Sequence, residues 1–145
     1  LPQGDWSSDV CSSDLEGEER SNLQKRINQL HLEEDFLLLG NRENPYPFFS
    51  QADLYVHASR FEGKSIAVQE AQILGCAILV TDCNGNREQV IDGGDGEICK
   101  LDAKVIAEHI LELMDQHDKR MMYKKAAESK MQASGEHVQD LLRMI

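Results

Sequence analysis

Basic residues are scarce in this chain: 15 Lys and Arg stand against 26 Asp and Glu, for a formal net charge of −11. Neutralising a phosphate backbone needs Lys and Arg, so this balance argues against a non-specific nucleic-acid binder. It leaves room for a discrete nucleotide site, which can run on backbone N–H groups and one or two local cations. No apolar run approaches the roughly 18 residues that cross a bilayer, and no signal-peptide pattern opens the sequence. Cysteine is sparse and has no C-x-x-C spacing; Cys76, Cys83 and Cys99 lie in or beside apolar runs. Reduced, mostly buried thiols in a cytoplasmic protein are the expectation. The five His are scattered and suggest no metal cluster. Internal repeats are absent too.

The opening is unlike the rest. Asp5-Trp-Ser-Ser-Asp-Val-Cys-Ser-Ser-Asp-Leu15 carries the one Trp and has neither helical nor strand periodicity. It resembles the conceptual translation of a sequencing-library adapter read in frame; a disordered native terminus has similar composition. Residues 1–15 are therefore set apart from 16–145, and no central strand is expected from them. Residues 16–145 suffice for one domain of ordinary size.

From there strand and helix patterns alternate. Leu23, Ile27 and Leu30 recur at helical spacing within Glu18–Leu30. Apolar runs at Phe36–Leu39, Leu54–Ala58 and Ala77–Thr81 read as strands, with a short one at Glu97–Cys99. Helices are expected at Phe48–Ala52 (one turn), Ser65–Leu74, Asn86–Ile91 and Ala103–Gln116, then a basic helix at Lys119–Met131 and a short one at Glu136–Met144. That order calls for an α/β fold: a Rossmann-like parallel sheet with flanking helices and right-handed crossovers.

The stretch Ser59-Arg-Phe-Glu-Gly-Lys-Ser-Ile-Ala-Val-Gln-Glu70 carries the chemistry. A strand end feeding a glycine-containing turn and then a helix is where open α/β sheets hold phosphorylated ligands. The helix N-terminus offers N–H donors and a positive dipole end, and Gly63 lets backbone approach closely. A carboxylate can accept from two neighbouring hydroxyls, which suits Glu62 and Glu70 to a sugar or ribose diol. Phosphate plus polyol describes a nucleotide sugar. Among 26 acidic residues, a pair eight apart is also expected by chance, as a solvated face.

Further features surround the pair: Phe36-Leu-Leu-Leu-Gly40, Asn44-Pro-Tyr-Pro-Phe-Phe49, Ala52-Asp53, Thr81-Asp82, Glu88 and Gly93–Gly96. Together with Glu62-x7-Glu70 they resemble the donor-binding half of a retaining glycosyltransferase of family 4, with two-domain GT-B architecture. The resemblance implies the incomplete C-terminal domain of such an enzyme. It implies Glu62 acting at the transferred sugar and Glu70 on the nucleoside ribose. Gly63, Lys64, Ser65 and Ile66 would present backbone N–H groups to the diphosphate or sugar, and Gly40 and Asn41 would contact the base edge. Many relatives carry a proline near Lys64–Ser65, so the Lys64 side chain is either a phosphate contact or a solvated lysine. Asp82 and Glu88 are expected to fix the turn and cap the helix after the third strand, although the family pattern places both near the cleft.

The resemblance implies retention of anomeric configuration, no essential metal or other cofactor, and a saccharide or lipid-linked acceptor held by a preceding domain. It also implies an Arg and a Lys on the diphosphate, supplied by two strands and a helix that this chain lacks before Glu18. Without those strands, Phe36–Leu39 should fall away from Leu54–Ala58, and the chain alone should bind donor weakly and transfer nothing. Tyr46, Phe48 and Phe49 are read as packing under their loop, and His57 as a satisfied core residue. Lys119, Arg120, Lys124, Lys125 and Lys130 form either a solvated face or peripheral contact with an anionic inner-membrane surface. The competing class is a non-catalytic α/β nucleotide-binding or partner-docking module. A receiver would want an Asp cluster at its first strand end, which is not seen, and a GT-B phosphorylase would want a pyridoxal-phosphate lysine, which cannot be assigned.

Overall fold

The computed structural model describes residues 11–13, 19–40, 42 and 44–134. Two compact units divide at Asn44 and Pro45. In the first, β1 (Cys11–Ser13) pairs in parallel with β2 (Phe36–Leu38), and α1 (Arg20–Leu30) connects them. The helix stops where His31 turns left-handed at φ 55° and its N–H reaches back to the Asn28 carbonyl. Arg20 Nη2 donates to the Leu38 carbonyl at 3.3 Å, tying the start of α1 to β2. Cys11–Ser13 is a strand that the sequence reading did not expect, but it is one of a pair in a two-stranded sheet, not a central strand. Cys-Ser-Ser has no apolar alternation, and the strand exists because β2 offers backbone partners. Trp6, and the helix expected at Glu136–Met144, lie outside the described residues.

In the second unit β3 (Leu54–His57), β4 (Ala77–Thr81) and β5 (Glu97–Cys99) form a parallel sheet in that order. Phe36–Leu38 and Leu54–His57 belong to different sheets. Five helices accompany this sheet: α2 (Tyr46–Gln51), α3 (Ile66–Ile73), α4 (Asn84–Gln89), α5 (Ala103–Asp115) and α6 (His117–Ser134). α2 and α4 each begin two residues before their expected starts.

Central strand β4 is buried along its whole length, which is why it reads as a continuous apolar run rather than an alternating one. Its side chains feed two cores. Ile78 and Val80 pack with Val68, Ala71, Cys76 and Val90, against Phe49 and Tyr55. Ala77 and Leu79 pack with Cys99, Leu113 and Tyr123, against Val105, Ile106 and Ile110. Phe49 therefore packs, as expected, with its ring edge-on to both Tyr46 and Tyr55. Cys76, Cys83 and Cys99 are free and buried, and burial pushes the Cys76 thiol up to about 12.

The basic face expected on α6 is mostly turned inward. Lys119 reaches the buried Glu97 at 2.5 Å, and Arg120 caps the Leu113 and Met114 carbonyls at the end of α5. Lys124 donates to the Ala52 carbonyl, and Lys130 pairs with buried Asp95 at 2.6 Å. Four of the five cations hold α6 to the rest of its unit, leaving Lys125 exposed. Their partners are carboxylates and carbonyls remote in sequence, which a helical-face reading does not reveal. Among the described residues, no helix is long and apolar enough to cross a membrane.

Candidate functional site

β3 ends at His57, and the chain then runs through a turn to α3. The turn is fixed from both sides. Ser59 N–H donates to Thr81 Oγ1 at 2.8 Å, and the Thr81 hydroxyl donates to the Ser59 carbonyl at 2.7 Å. This reciprocal pair joins the ends of β3 and β4. Beyond it, the Gln89 side-chain amide grips Ser65: it accepts from Ser65 N–H at 2.7 Å and donates to the Ser65 carbonyl at 2.8 Å. Ser65 also caps α3, its hydroxyl accepting from Val68 N–H at 3.4 Å. The start of α4 closes against the turn from below. A Cβ on Gly85 would overlap the carbonyl oxygens of Gly63 and Glu62, so only glycine fits there.

These contacts correct one expectation. Ser65 is buried and its N–H is already donated to Gln89, so it is not available to a ligand. Its role is to hold the turn. Gly63 and Lys64 are exposed, and a Cβ on Gly63 would meet nothing within 4 Å, so backbone is open to approach there. The Gly63 and Ile66 N–H groups make no hydrogen bond among the described residues.

Glu62 sits in the turn, its side chain 30% exposed, with Oε2 3.0 Å from His57 Nε2. Glu70 is half-buried on α3, and Oε1 accepts from the Tyr46 hydroxyl at 2.9 Å. That hydrogen bond, with burial and the carboxylate's charge, raises the Tyr46 phenol above its ordinary value. Each carboxylate of the pair is thus held through one oxygen by one ring. The two are not bonded to each other. His57 and Tyr46 are the side-chain partners of the two glutamates that the sequence reading did not find: a strand-end His five residues before the Glu was the available signal, while Tyr46–Glu70 spans 24 positions with none.

Gly40, two residues past β2, has a left-handed conformation, φ 70°, which favours glycine. Asn41 lies outside the described residues. Asp82, just past β4, is paired in bidentate fashion with Arg87 on α4, at 2.5 and 2.8 Å. The guanidinium holds the Asp82 carboxyl below its usual range. It fixes the turn as expected, but the helix position before α4 is Cys83, which makes no side-chain cap. Glu88 is exposed. Asp82, Arg87, Asp92, Ile98, Cys99 and Lys100 line an open depression of about 330 Å³ at the carboxyl ends of β4 and β5. Among the described residues, no group of three or more His, Cys, Asp or Glu is placed to hold a metal ion. Chemically, the turn can offer N–H donors to an anion and the Glu62 carboxylate to hydroxyl groups, and α3 adds the Glu70 carboxylate.

The sequence matches the family described as Glycosyl transferases group 1 over residues 4–130. A Campylobacter jejuni N-acetylgalactosamine-N,N'-diacetylbacillosaminyl-diphospho-undecaprenol 4-alpha-N-acetylgalactosaminyltransferase is 34% identical over 120 residues, covering 81% of this chain and 33% of the relative. The N-acetyl-alpha-D-glucosaminyl L-malate synthase of Bacillus anthracis is 27% identical over 116 residues, covering 79% and 30%. The chain thus spans about a third of the length of these curated relatives. Among solved structures, Anabaena Alr3699/HepE in complex with UDP superposes with a TM-score of 0.77 at 20% identity, covering 92% of this chain and 39% of that one. The C-terminal domain of a group 1 family glycosyl transferase (LpcC) from Francisella tularensis superposes at 0.71 and 19% identity, covering 79% and 60%. Sheet and helices therefore have the fold of GT-B glycosyltransferase C-terminal domains, and the chain belongs to the group 1 glycosyl transferases.

Proposed function

We propose that this chain is the donor-binding part of a retaining GT-B glycosyltransferase of family 4 that moves a sugar from a nucleoside diphosphate to an acceptor hydroxyl. One observation carries the reading: in a chain of this family, Glu62 and open Gly63 backbone stand at the end of β3, immediately before capped α3. Breaking the sugar–phosphate bond builds negative charge on the leaving diphosphate and positive charge on the anomeric carbon. N–H dipoles of Gly63, Lys64 and Ile66 at the start of α3 would stabilise the first, and the Glu62 carboxylate the second. Glu70, oriented by Tyr46, would take a ribose hydroxyl. Gly40 and Asn41 remain the proposed base contacts, and no metal or other cofactor is assigned a role.

In this reading the parent is longer, with an acceptor domain and the first strands of the donor domain preceding this segment. The relatives' greater length supports that. Residues 1–15 are proposed to be adapter-derived; native DNA encoding them at the source locus would sink that origin. Two Campylobacter jejuni relatives carry diphospho-undecaprenol in their names, which supports a saccharide or lipid-linked acceptor. The protein is proposed to act in the cytoplasm, peripherally at the inner membrane face; α6, with most of its cations engaged internally, is not the contact.

Ligand-observed NMR with uridine, guanosine, adenosine and thymidine diphosphate sugars tests donor binding by the chain itself. Weak binding of one base class, reduced in Glu70→Gln, is expected. Equal indifference to all four removes the nucleotide-sugar reading of this segment.

A further inference from the structure

His57 is the last residue of β3, and its ring joins that of Tyr55 on one face of the strand. Tyr55 lies two positions earlier, so both side chains project to the same side. Their rings stack at 6.2 Å and 19°, with the Tyr55 hydroxyl 3.4 Å from His57 Nδ1. On its other edge His57 Nε2 is 3.0 Å from Glu62 Oε2. An ionised carboxylate only accepts hydrogen bonds, so the nitrogen facing it must carry the proton. With Nδ1 turned to a hydroxyl that can donate, neutral imidazole takes the Nε2–H form, and protonated imidazole donates from Nε2 as well. Both ring states therefore hold the same Glu62 oxygen. The arrangement leaves Glu62 30% exposed on a turn, with one carboxylate oxygen held by His57 and the other, Oε1, without a hydrogen bond among the described residues.

We propose that His57 is a positioning residue that aims Glu62 at the transferred sugar. This rests on the assignment of Glu62 to that sugar. A carboxylate favours a developing positive charge only where it is already placed when the charge appears, and small displacements of a reacting group are costly in rate. His57 touches no reacting atom itself. Its contribution is made through Glu62, so it should appear in turnover rather than in donor affinity.

The experiment has two arms. In this chain, ¹⁵N spectra of the imidazole rings at neutral pH should show the His57 proton on Nε2, and Glu62→Gln should shift that nitrogen selectively. A ring protonated at Nδ1 alone, or one indifferent to Glu62→Gln, overturns the proposal. In the full-length transferase, His57→Ala should lower kcat roughly 10- to 100-fold with donor KM nearly unchanged. His57→Gln, which keeps an N–H donor, should recover most of the loss, and adding His57→Ala to Glu62→Gln should cost little more. If His57→Ala fails to fold, His57→Phe fills the same space without donating and is expected to show the same loss. Losses that multiply in the double variant, or an active His57→Ala beside an impaired Glu62→Gln, overturn the role of His57 alone. Full activity in Glu62→Gln instead removes the assignment of Glu62 on which the proposal rests.

Discussion

Glu62 and Glu70 differ in what holds them, and the difference predicts different kinetics. Glu62 is offered from a turn, whereas Glu70 sits on α3 under Tyr46. In the full-length enzyme, Glu62→Gln keeps shape and removes charge. Turnover should fall by roughly 30- to 1,000-fold, about 2–4 kcal/mol, with donor affinity little changed. Unchanged turnover would take Glu62 out of the chemistry. A ribose contact is made equally in ground and transition states, so Glu70→Gln should raise donor KM and leave kcat alone. Tyr46→Phe removes the hydroxyl that orients Glu70 and should raise donor KM by roughly 5-fold, about 1 kcal/mol. Donor titrations of both variants check this, and a Tyr46→Phe enzyme with normal KM would make that hydrogen bond purely structural. The two glutamates were legible in the sequence because they are eight apart beside a glycine turn. Their ring partners were not, since a strand-end His and a loop Tyr read equally well as packing. Nor was the loss of the Ser65 N–H, which depends on Gln89, 24 residues away in another helix.

At the scale of elements, the turn between β3 and α3 is shaped by α4. Gly85 and Gly63 look alike in sequence but stand in opposite surroundings. A methyl at Gly85 would drive α4 off the Glu62 and Gly63 carbonyls, whereas one at Gly63 meets open space. Gly85→Ala should therefore cost about 1–3 kcal/mol of stability, seen as a lower denaturant midpoint. Gly63→Ala should stay within about 0.5 kcal/mol of wild type, yet bind nucleotide sugar less well because the ligand approaches there. Equal midpoints for the two variants would contradict the packing of α4 on the turn. β3 and β4 were readable because apolar runs announce them, and α3 and α5 from the segments between and after them. β1 was not, because Cys-Ser-Ser has no pattern of its own and is a strand only by pairing with β2.

Within the second unit as a whole, one buried carboxylate joins three elements. Glu97 on β5 lies 2.7 Å from His109 on α5 and 2.5 Å from Lys119 on α6, and Tyr123 donates to it at 3.2 Å. Burial alone would raise this carboxyl. The hydrogen bonds and charges of Lys119 and His109 outweigh it, so the net shift is below the ordinary glutamate value of 4.5. A carboxyl with a lowered native pKa binds its proton more readily when unfolded. Its contribution to stability is therefore complete above about pH 4.5 and is lost as pH falls through the lower native value. Glu97→Gln should destabilise the unit at pH 7 by about 1–3 kcal/mol. That is less than the roughly 3–5 of a fully buried broken pair, because Lys119 and His109 each retain about a third of their exposure. Because the variant lacks this titration, its deficit should shrink as pH drops below 4.5, with the two midpoint-versus-pH curves converging in acid. Parallel curves between pH 7 and pH 3 would mean that Glu97 does not couple β5, α5 and α6 through its charge.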